Sequence, residues 1–267
     1  MARSQQPTWK RALVTGASSG IGDAFARQLA AEGTNLVLVA RDGHRLEDLA
    51  QQLRQENSVN VEVLVADLSD DEQVSHVEKR LSVSPPIDLL INNAGLGTFG
   101  TFRQLPLGGE LQQIDVNIRA VLRLAHAALA YMSSYGNGTV LNMSSTTGLQ
   151  PFPGSATYAA TKAFVTSFSE SLHEEARGTG VSVTAVVPGS VRTEFVERAG
   201  KAEEFARLPA FMFLSPEKVA RDGLRGARRG RALVVPGVGY KMMVAFMSMA
   251  PRGVVRRFGA VMGKSFM

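Results

Sequence analysis

The feature that most constrains this chain is a regular alternation of short, continuously apolar runs with stretches of helical periodicity. Residues 12–14, 36–40, 61–65, 87–91, 139–143, 181–187 and 232–235 read as strands. Helical spacing occupies the intervals up to residue 32 and over 44–56, 70–82, 107–134, 155–177 and 216–229. An uninterrupted apolar run suits a strand buried on both faces, as in a parallel sheet covered by helices. Strands that alternate with helices build βαβ units. The predicted fold class is therefore α/β, a doubly wound parallel sheet of about seven strands with helices on both faces. No linker or repeat interrupts the sequence, so one domain is expected over 1–267. Residues 190–215, with Phe195, Phe205, Phe211, Met212 and Phe213, read as a loop with short helices.

Composition removes several classes of protein. The chain has no cysteine, which excludes disulfides, thiolate metal sites and a thiol nucleophile. No apolar run reaches the roughly 18–20 residues that a bilayer-spanning helix needs. The polar stretch 1–10 does not read as a secretory leader, so a cytoplasmic location is expected. The net charge of +5 is unevenly placed. From Lys218 onward there are eleven Lys or Arg and one acid, Asp222, which leaves 18 bases and 23 acids elsewhere. Residues 238–267 form a basic, Met-rich C-terminal extension that interleaves Met and Phe with Lys241, Arg252, Arg256 and Arg257. Such a segment is either a solvated surface or an amphipathic element for peripheral contact with a membrane or an acidic carrier. No nucleic-acid-binding motif accompanies the charge, so no nucleic acid is expected as a partner.

Between the first strand and the first helix lies Gly16-Ala17-Ser18-Ser19-Gly20-Ile21-Gly22. Glycines let the backbone turn sharply and approach a ligand. A helix start adds unpaired N–H groups and partial positive charge, which together seat a pyrophosphate. The same residues fit a nucleophile elbow at Ser18, which would need a histidine on a later loop. His44, His76, His126 and His173 all fall in predicted helices and show no metal-ligand spacing, so no metal is expected. Gly263-Lys264-Ser265 lacks the earlier glycine and the following helix of a phosphate-binding loop.

Tyr158 and Lys162 stand four apart in a predicted helix and so share a face. A nearby ammonium favours the phenolate and should lower the tyrosine pKa from about 10. A phenol so tuned can protonate a carbonyl oxygen or deprotonate an alcohol. Ser145, at a strand end, can donate a hydrogen bond to the same oxygen, and Asn117 can connect Lys162 to solvent through water.

These pieces arrive in a fixed order. Thr15 to Gly22, Asp67, Asn92-Asn93-Ala94-Gly95, Asn117, Ser144-Ser145, Tyr158-Ala159-Ala160-Thr161-Lys162, and Pro188-Gly189 with Thr193 follow one another along the chain. The ordered set resembles the short-chain dehydrogenase/reductase family over roughly residues 10–235. The resemblance implies a single Rossmann-type domain, usually dimeric or tetrameric through the helices around 107–134 and 155–177. It implies Asn117, Ser145, Tyr158 and Lys162 as the catalytic set. In it Tyr158 is the general acid/base, and Lys162 lowers its pKa and holds the nicotinamide ribose. Ser145 orients the substrate oxygen in preference to Ser144, and Asn117 supports a proton-relay water. It implies cofactor contacts from Gly16, Ser18, Ser19, Gly20, Ile21 and Gly22. Asp67 would touch the adenine and Asn93, Ala94 and Gly95 would pack beside the adenosine. Pro188, Gly189 and Thr193 would hold the nicotinamide end, and 190–215 would be the substrate lid.

Cofactor choice follows from charge. An acid at the end of the second strand binds a ribose 2′-hydroxyl and repels a 2′-phosphate. Ala40 stands there, followed by Arg41, which can pair with a phosphate. The expected cofactor is NADP(H), and the expected activity is an NADPH-dependent carbonyl reductase or alcohol dehydrogenase. Its substrate would be an apolar ketone, aldehyde or 3-ketoacyl compound. The alternative is a nucleotide-binding regulatory protein that keeps the fold with little catalysis.

Overall fold

Each predicted strand forms close to its apolar run: β1 (Arg11–Thr15), β2 (Asn35–Ala40), β3 (Val61–Val65), β4 (Leu89–Asn92), β5 (Gly138–Met143), β6 (Val181–Val186) and β7 (Leu233–Val234). The structure is a computed structural model that describes residues 9–200 and 209–263. All strands are parallel, in the order β3-β2-β1-β4-β5-β6-β7. Leu13 of β1 pairs with Val37 of β2 and Leu90 of β4, in the middle of the sheet. This is the expected doubly wound Rossmann-type sheet.

The described helices are α1 (Gly20–Ala31), α2 (Gly43–Asn57), α3 (Asp71–Leu81), α4 (Leu107–Ile114), α5 (Val121–Tyr135), α6 (Ala156–Glu175), α7 (Glu194–Arg198), α8 (Pro216–Arg228), α9 (Val238–Met249) and α10 (Arg252–Gly263). Their starts carry local signals. The Asp42 carboxylate accepts from the Arg45 amide, the Asp70 carboxylate from the Glu72 and Gln73 amides, and the Ser215 hydroxyl from the Lys218 amide. Such caps satisfy otherwise unpaired amides of the first turn. Alternate strand residues then divide two cores. Ala12, Val14, Leu36 and Leu38 pack with apolar side chains of α1, α2 and α8. Leu13, Val37, Leu90 and Val140 pack with those of α3 and α5 and with Phe168 and Leu172 of α6.

Three segments differ from the sequence reading. The long helix expected over 107–134 is two helices joined by a π-helical turn, Asp115–Ala120. Asn117 occupies that wider turn and bonds across to Leu96 and Thr161. The 190–215 stretch contains α7 and a 3₁₀ turn, Ala210–Met212, with Val191 bridged to Leu214. Phe205, which falls in 201–208, lies outside the described residues, as does Lys264. The C-terminal extension is two helices rather than one surface element. Tyr240 of α9 donates to the Met212 carbonyl (2.7 Å) and accepts from the Ser190 amide (3.0 Å), which binds this helix to the 190–215 stretch.

Phe25 is fully buried between α1 and α8, where its ring meets the space beside Gly223. Phe25→Ala is expected to lower the unfolding free energy by about 3–5 kcal/mol, read as a lower urea midpoint with an unchanged slope.

Candidate active site

β4 lies beside β1 rather than after β3, so the chain reverses its winding there and the carboxyl ends of β1 and β4 open a crevice. Thr15 ends β1, and its hydroxyl accepts from the Asn93 and Ala94 amides (3.0 Å each). The Asn93 side-chain amide donates back to the carbonyls of Thr15 (2.9 Å) and Gly16 (3.2 Å). Gly16 has φ +66°, and a Cβ there would lie 2.9 Å from Asn93 Nδ2 and from the Ala94 backbone. A Cβ on Gly22 would run into the Gly16 carbonyl. The loop between β1 and α1 is thus pressed flat against 93–95, and only glycine fits at these two points.

Gly20 and Ile21, the first residues of α1, line a cavity of about 690 Å³ with Gly16 and Ser19. A helix start there supplies amide donors to a phosphate. Thr193, just before α7, lies over Gly20. Ala94 and Gly95 join this cavity to a second of about 380 Å³, lined by Ser18, Arg41, Arg45 and Asp67. Arg41 Nη1 is 3.8 Å from Asp67 Oδ2. Burial pushes the Asp67 carboxyl up, but the Ser69 amide and hydroxyl, helped by Arg41, outweigh it and hold the group below its usual range. The Cβ-free cradle, the helix start and the basic far end fit a nicotinamide dinucleotide.

The other wall is built by the end of β5 and the start of α6. Ser145, Tyr158 and Lys162 all line the larger cavity. Tyr158 stands close enough to Ser145 for the serine hydroxyl to favour the phenolate, and that hydroxyl accepts from the Thr147 amide (3.2 Å). Ser144 is turned away into α6, donating to the Lys162 carbonyl at 2.7 Å. Lys162 Nζ donates to the Met143 carbonyl (2.8 Å) and stands 5.7 Å from the centre of the Tyr158 ring.

The expected lowering of the tyrosine pKa is not what this arrangement produces. Burial pushes the Tyr158 phenol up to about 12, against the smaller opposing effect of Ser145. Burial also lowers the Lys162 amine to about 8. The dry wall disfavours both charged forms, and the amine is engaged by a carbonyl rather than by the phenol.

Asn117 does not face the cavity. Its amide accepts from Leu96 N (2.9 Å) and donates to Leu96 O (2.8 Å) and Thr161 Oγ1 (3.0 Å). It thereby fixes the turn at Gly95, where a Cβ would lie 3.3 Å from Asn117 Oδ1 and 3.4 Å from Lys162 Nζ. Pro188 accepts from the Thr146 amide (2.9 Å), and Gly189 lies under the Tyr240 ring, which leaves no room for a Cβ. No histidine lines either cavity, so Ser18 has no histidine partner there.

Other residues of the site escaped the sequence reading. Phe195 and Phe99 pack on Tyr158, with ring centres 5.5 and 6.4 Å away. Tyr240, Met243 and Val261 bring the C-terminal extension into the cavity wall. The aromatic cluster around 195–213 signalled an apolar wall, whereas nothing local marks the tail residues. Glu110 is a buried carboxylate that accepts from Thr98, Thr157 and Gln113 and so ties the 95–101 loop to the start of α6.

The profile of the family described as short chain dehydrogenase matches residues 10–204. The chain belongs to the short-chain dehydrogenase/reductase family. It is an oxidoreductase of that family, acting on alcohol and carbonyl groups. A short-chain dehydrogenase from Sphingobium yanoikuyae in complex with NADPH is similar at 38% identity and TM-score 0.83, over 91% of this chain and 94% of that one. The bulky-bulky ketone specific alcohol dehydrogenase from Comamonas testosteroni shares 34% identity at TM-score 0.80, over 93% and 94%. Sulfoacetaldehyde reductase 2 of Chromohalobacter salexigens is 39% identical over 186 residues, 68% of this chain and 73% of that protein.

The buried pair makes stability depend on pH in a defined direction. Lys162 has a folded pKa near 8 against 10.5 for the free group. Between these values the unfolded chain binds more protons, so stability rises with pH there, by at most about 1.4 kcal/mol per unit. Tyr158 acts oppositely above pH 10, where the unfolded phenol ionises first. Urea unfolding of the cofactor-free protein between pH 8 and 10 is expected to show a rise in stability that Lys162→Met lacks. Parallel curves for the two proteins would contradict this.

Proposed function

We propose that this dehydrogenase is an NADPH-dependent carbonyl reductase, able to run in reverse as an alcohol dehydrogenase, with Tyr158 as its acid and base. The observation that carries the reading is the placement of Tyr158 and Ser145 together on the wall of an apolar cavity that opens onto the glycine cradle. A bound nicotinamide supplies the hydride that the carbonyl carbon accepts. Tyr158, a neutral phenol at ordinary pH, gives its proton to the carbonyl oxygen, and the Ser145 hydroxyl holds that oxygen. The resulting phenolate is stabilised by Lys162 in its charged form, and the proton lost is restored from solvent on the side of Lys162 and Asn117. Asn117 serves by fixing the Gly95 turn beside the amine.

Arg41 supports NADPH over NADH, since it is half exposed at the end of the adenosine-side cavity and no acid replaces it at Ala40. Arg45 stands on the same wall, ion-paired with Glu194 of α7 at 2.8 Å. The NADPH-bound relative supports the same choice.

The cavity favours an uncharged, apolar carbonyl compound, a ketone, an aldehyde or a 3-ketoacyl chain. Phe99, Phe152, Phe195, Met212 and Met243 line it, and Lys162 is the one charged side chain among its described lining residues. That amine is held by Met143, so among the described lining residues no free cation waits for a sulfonate group. The exposed Leu107, Leu111, Ile114 and Leu122 of the α4–α5 region support a homodimer or homotetramer.

Loss of NADPH absorbance with a panel of ketones and aldehydes tests the reading. Tyr158→Phe should lower turnover at least about a thousandfold, within the range assigned to acid–base catalysis, while NADPH still binds. Arg41→Asp should raise the Kd for NADPH about tenfold or more and leave that for NADH within a few-fold. Turnover by Tyr158→Phe, or equal NADH and NADPH affinity in the wild type, would refute the respective assignment.

A further inference from the structure

α9 is apolar on opposite sides. Tyr240, Met243 and Met247 face inward, the first two lining the substrate cavity and the third buried. Val238, Met242, Phe246 and Met249 follow at i, i+4, i+8 and i+11, which places them on one outer face. All four are exposed, Phe246 by 65% and Met249 by 83%. A helix that is apolar all round belongs in a core or under a cover. On α10, Val254 is exposed, and Val261 is 67% exposed while also lining the cavity. Exposed apolar side chains therefore stand both on the outer face of α9 and, at Val261, on the cavity rim.

The charged side chains of α9 and α10 have one sign. Lys241, Arg252, Arg256 and Arg257 are exposed, and none is ion-paired among the described residues. Asp222 is the last acid in the chain, so α9 and α10 carry no acidic side chain at all. Two copies of this face brought together would set like charges against each other. An acidic carrier would pair with the arginines but leave the apolar row in water. An anionic lipid surface answers both features, since acyl chains cover the apolar side chains and headgroups meet the cations.

We propose that α9 and α10 dock the protein on an anionic membrane surface, with the mouth of the substrate cavity at the lipid boundary. The helices lie on the bilayer and do not cross it: α9 has 12 residues, and no described helix is long and apolar enough to span. The proposal extends the reading of an apolar substrate but stands on the tail helices independently of turnover. In this position a lipid-dissolved carbonyl compound enters beside Val261 without crossing water.

Co-sedimentation with vesicles, without substrate or cofactor, tests it. The wild type is expected to bind vesicles of equal phosphatidylcholine and phosphatidylglycerol, and to stay in solution with phosphatidylcholine alone. Met242→Glu/Phe246→Glu and Arg252→Gln/Arg256→Gln should each weaken anionic-vesicle binding about tenfold or more. All four positions are exposed, and urea midpoints should confirm that both variants remain folded. Equal partition of wild type and variants, or no binding to anionic vesicles, would overturn the proposal. So would a wild-type oligomer that Met242→Glu/Phe246→Glu splits in light scattering, since the face would then belong to a second copy. Docking without ketone reduction would sink the carbonyl-reductase reading and leave this one standing; reduction without docking would do the reverse.

Discussion

The geometry of the site depends on a buried polar seam between β5 and α6. Asn142 Nδ2 donates to Ser169 Oγ (2.9 Å), Ser144 Oγ to the Lys162 carbonyl (2.7 Å), and Lys162 Nζ to the Met143 carbonyl (2.8 Å). Asn92 continues the seam into β4 by donating to Asn142 Oδ1 (2.9 Å). Every side chain in this set is buried. A partner left unpaired in such a place costs about 1–3 kcal/mol, so the seam selects one register of helix on strand. A slip of one helical turn would displace Tyr158 by about 5.4 Å and take its hydroxyl out of reach of Ser145. Positioning of the phenol is therefore a consequence of strand-to-helix docking one turn further along, not of contacts made by the phenol itself.

The same dryness that makes the seam selective sets the charge states at the wall. A phenol pushed up to about 12 and an amine lowered to about 8 move apart, each in the direction that favours its neutral form. Sequence spacing alone suggests the opposite for the phenol, because an i, i+4 pair reads as direct contact. In the fold the amine turns to the Met143 carbonyl and lies over the Tyr158 ring, 5.7 Å from its centre. A neutral phenol is poised to give a proton rather than to take one, which on the proposed reading makes reduction the readier direction.

Much of this architecture was legible because its signals are local. The continuous runs mark strands, since burial on both faces leaves no polar alternation. Gly16 and Gly22 mark the cradle because only a missing side chain lets two backbones touch. The elements that escaped are those whose reason lies across the fold. The π-helical turn at Asn117 is understood only beside Leu96 and Thr161, 21 and 44 positions away. Glu110 looks like any surface acid of an amphipathic helix until Thr98 and Thr157 close over it. Tyr240 is one aromatic in a Met-rich tail until the bare backbone of Gly189 receives its ring.

The tail changes what the cavity is. With α9 over the Gly189 turn and Val261 at the rim, the chamber beside Tyr158 is walled by three separate parts of the chain: the 95–101 loop, the 190–215 stretch and the C-terminal helices. Tyr240 links two of them, through Ser190 and Met212. Its hydroxyl satisfies the Ser190 amide and the Met212 carbonyl, two backbone groups that would otherwise turn to water or substrate. Burial at the chamber wall is what keeps the phenol protonated and lowers the pKa of the amine. The basic tail, which reads as an appendage, is thus part of the chamber in which the proposed proton chemistry runs.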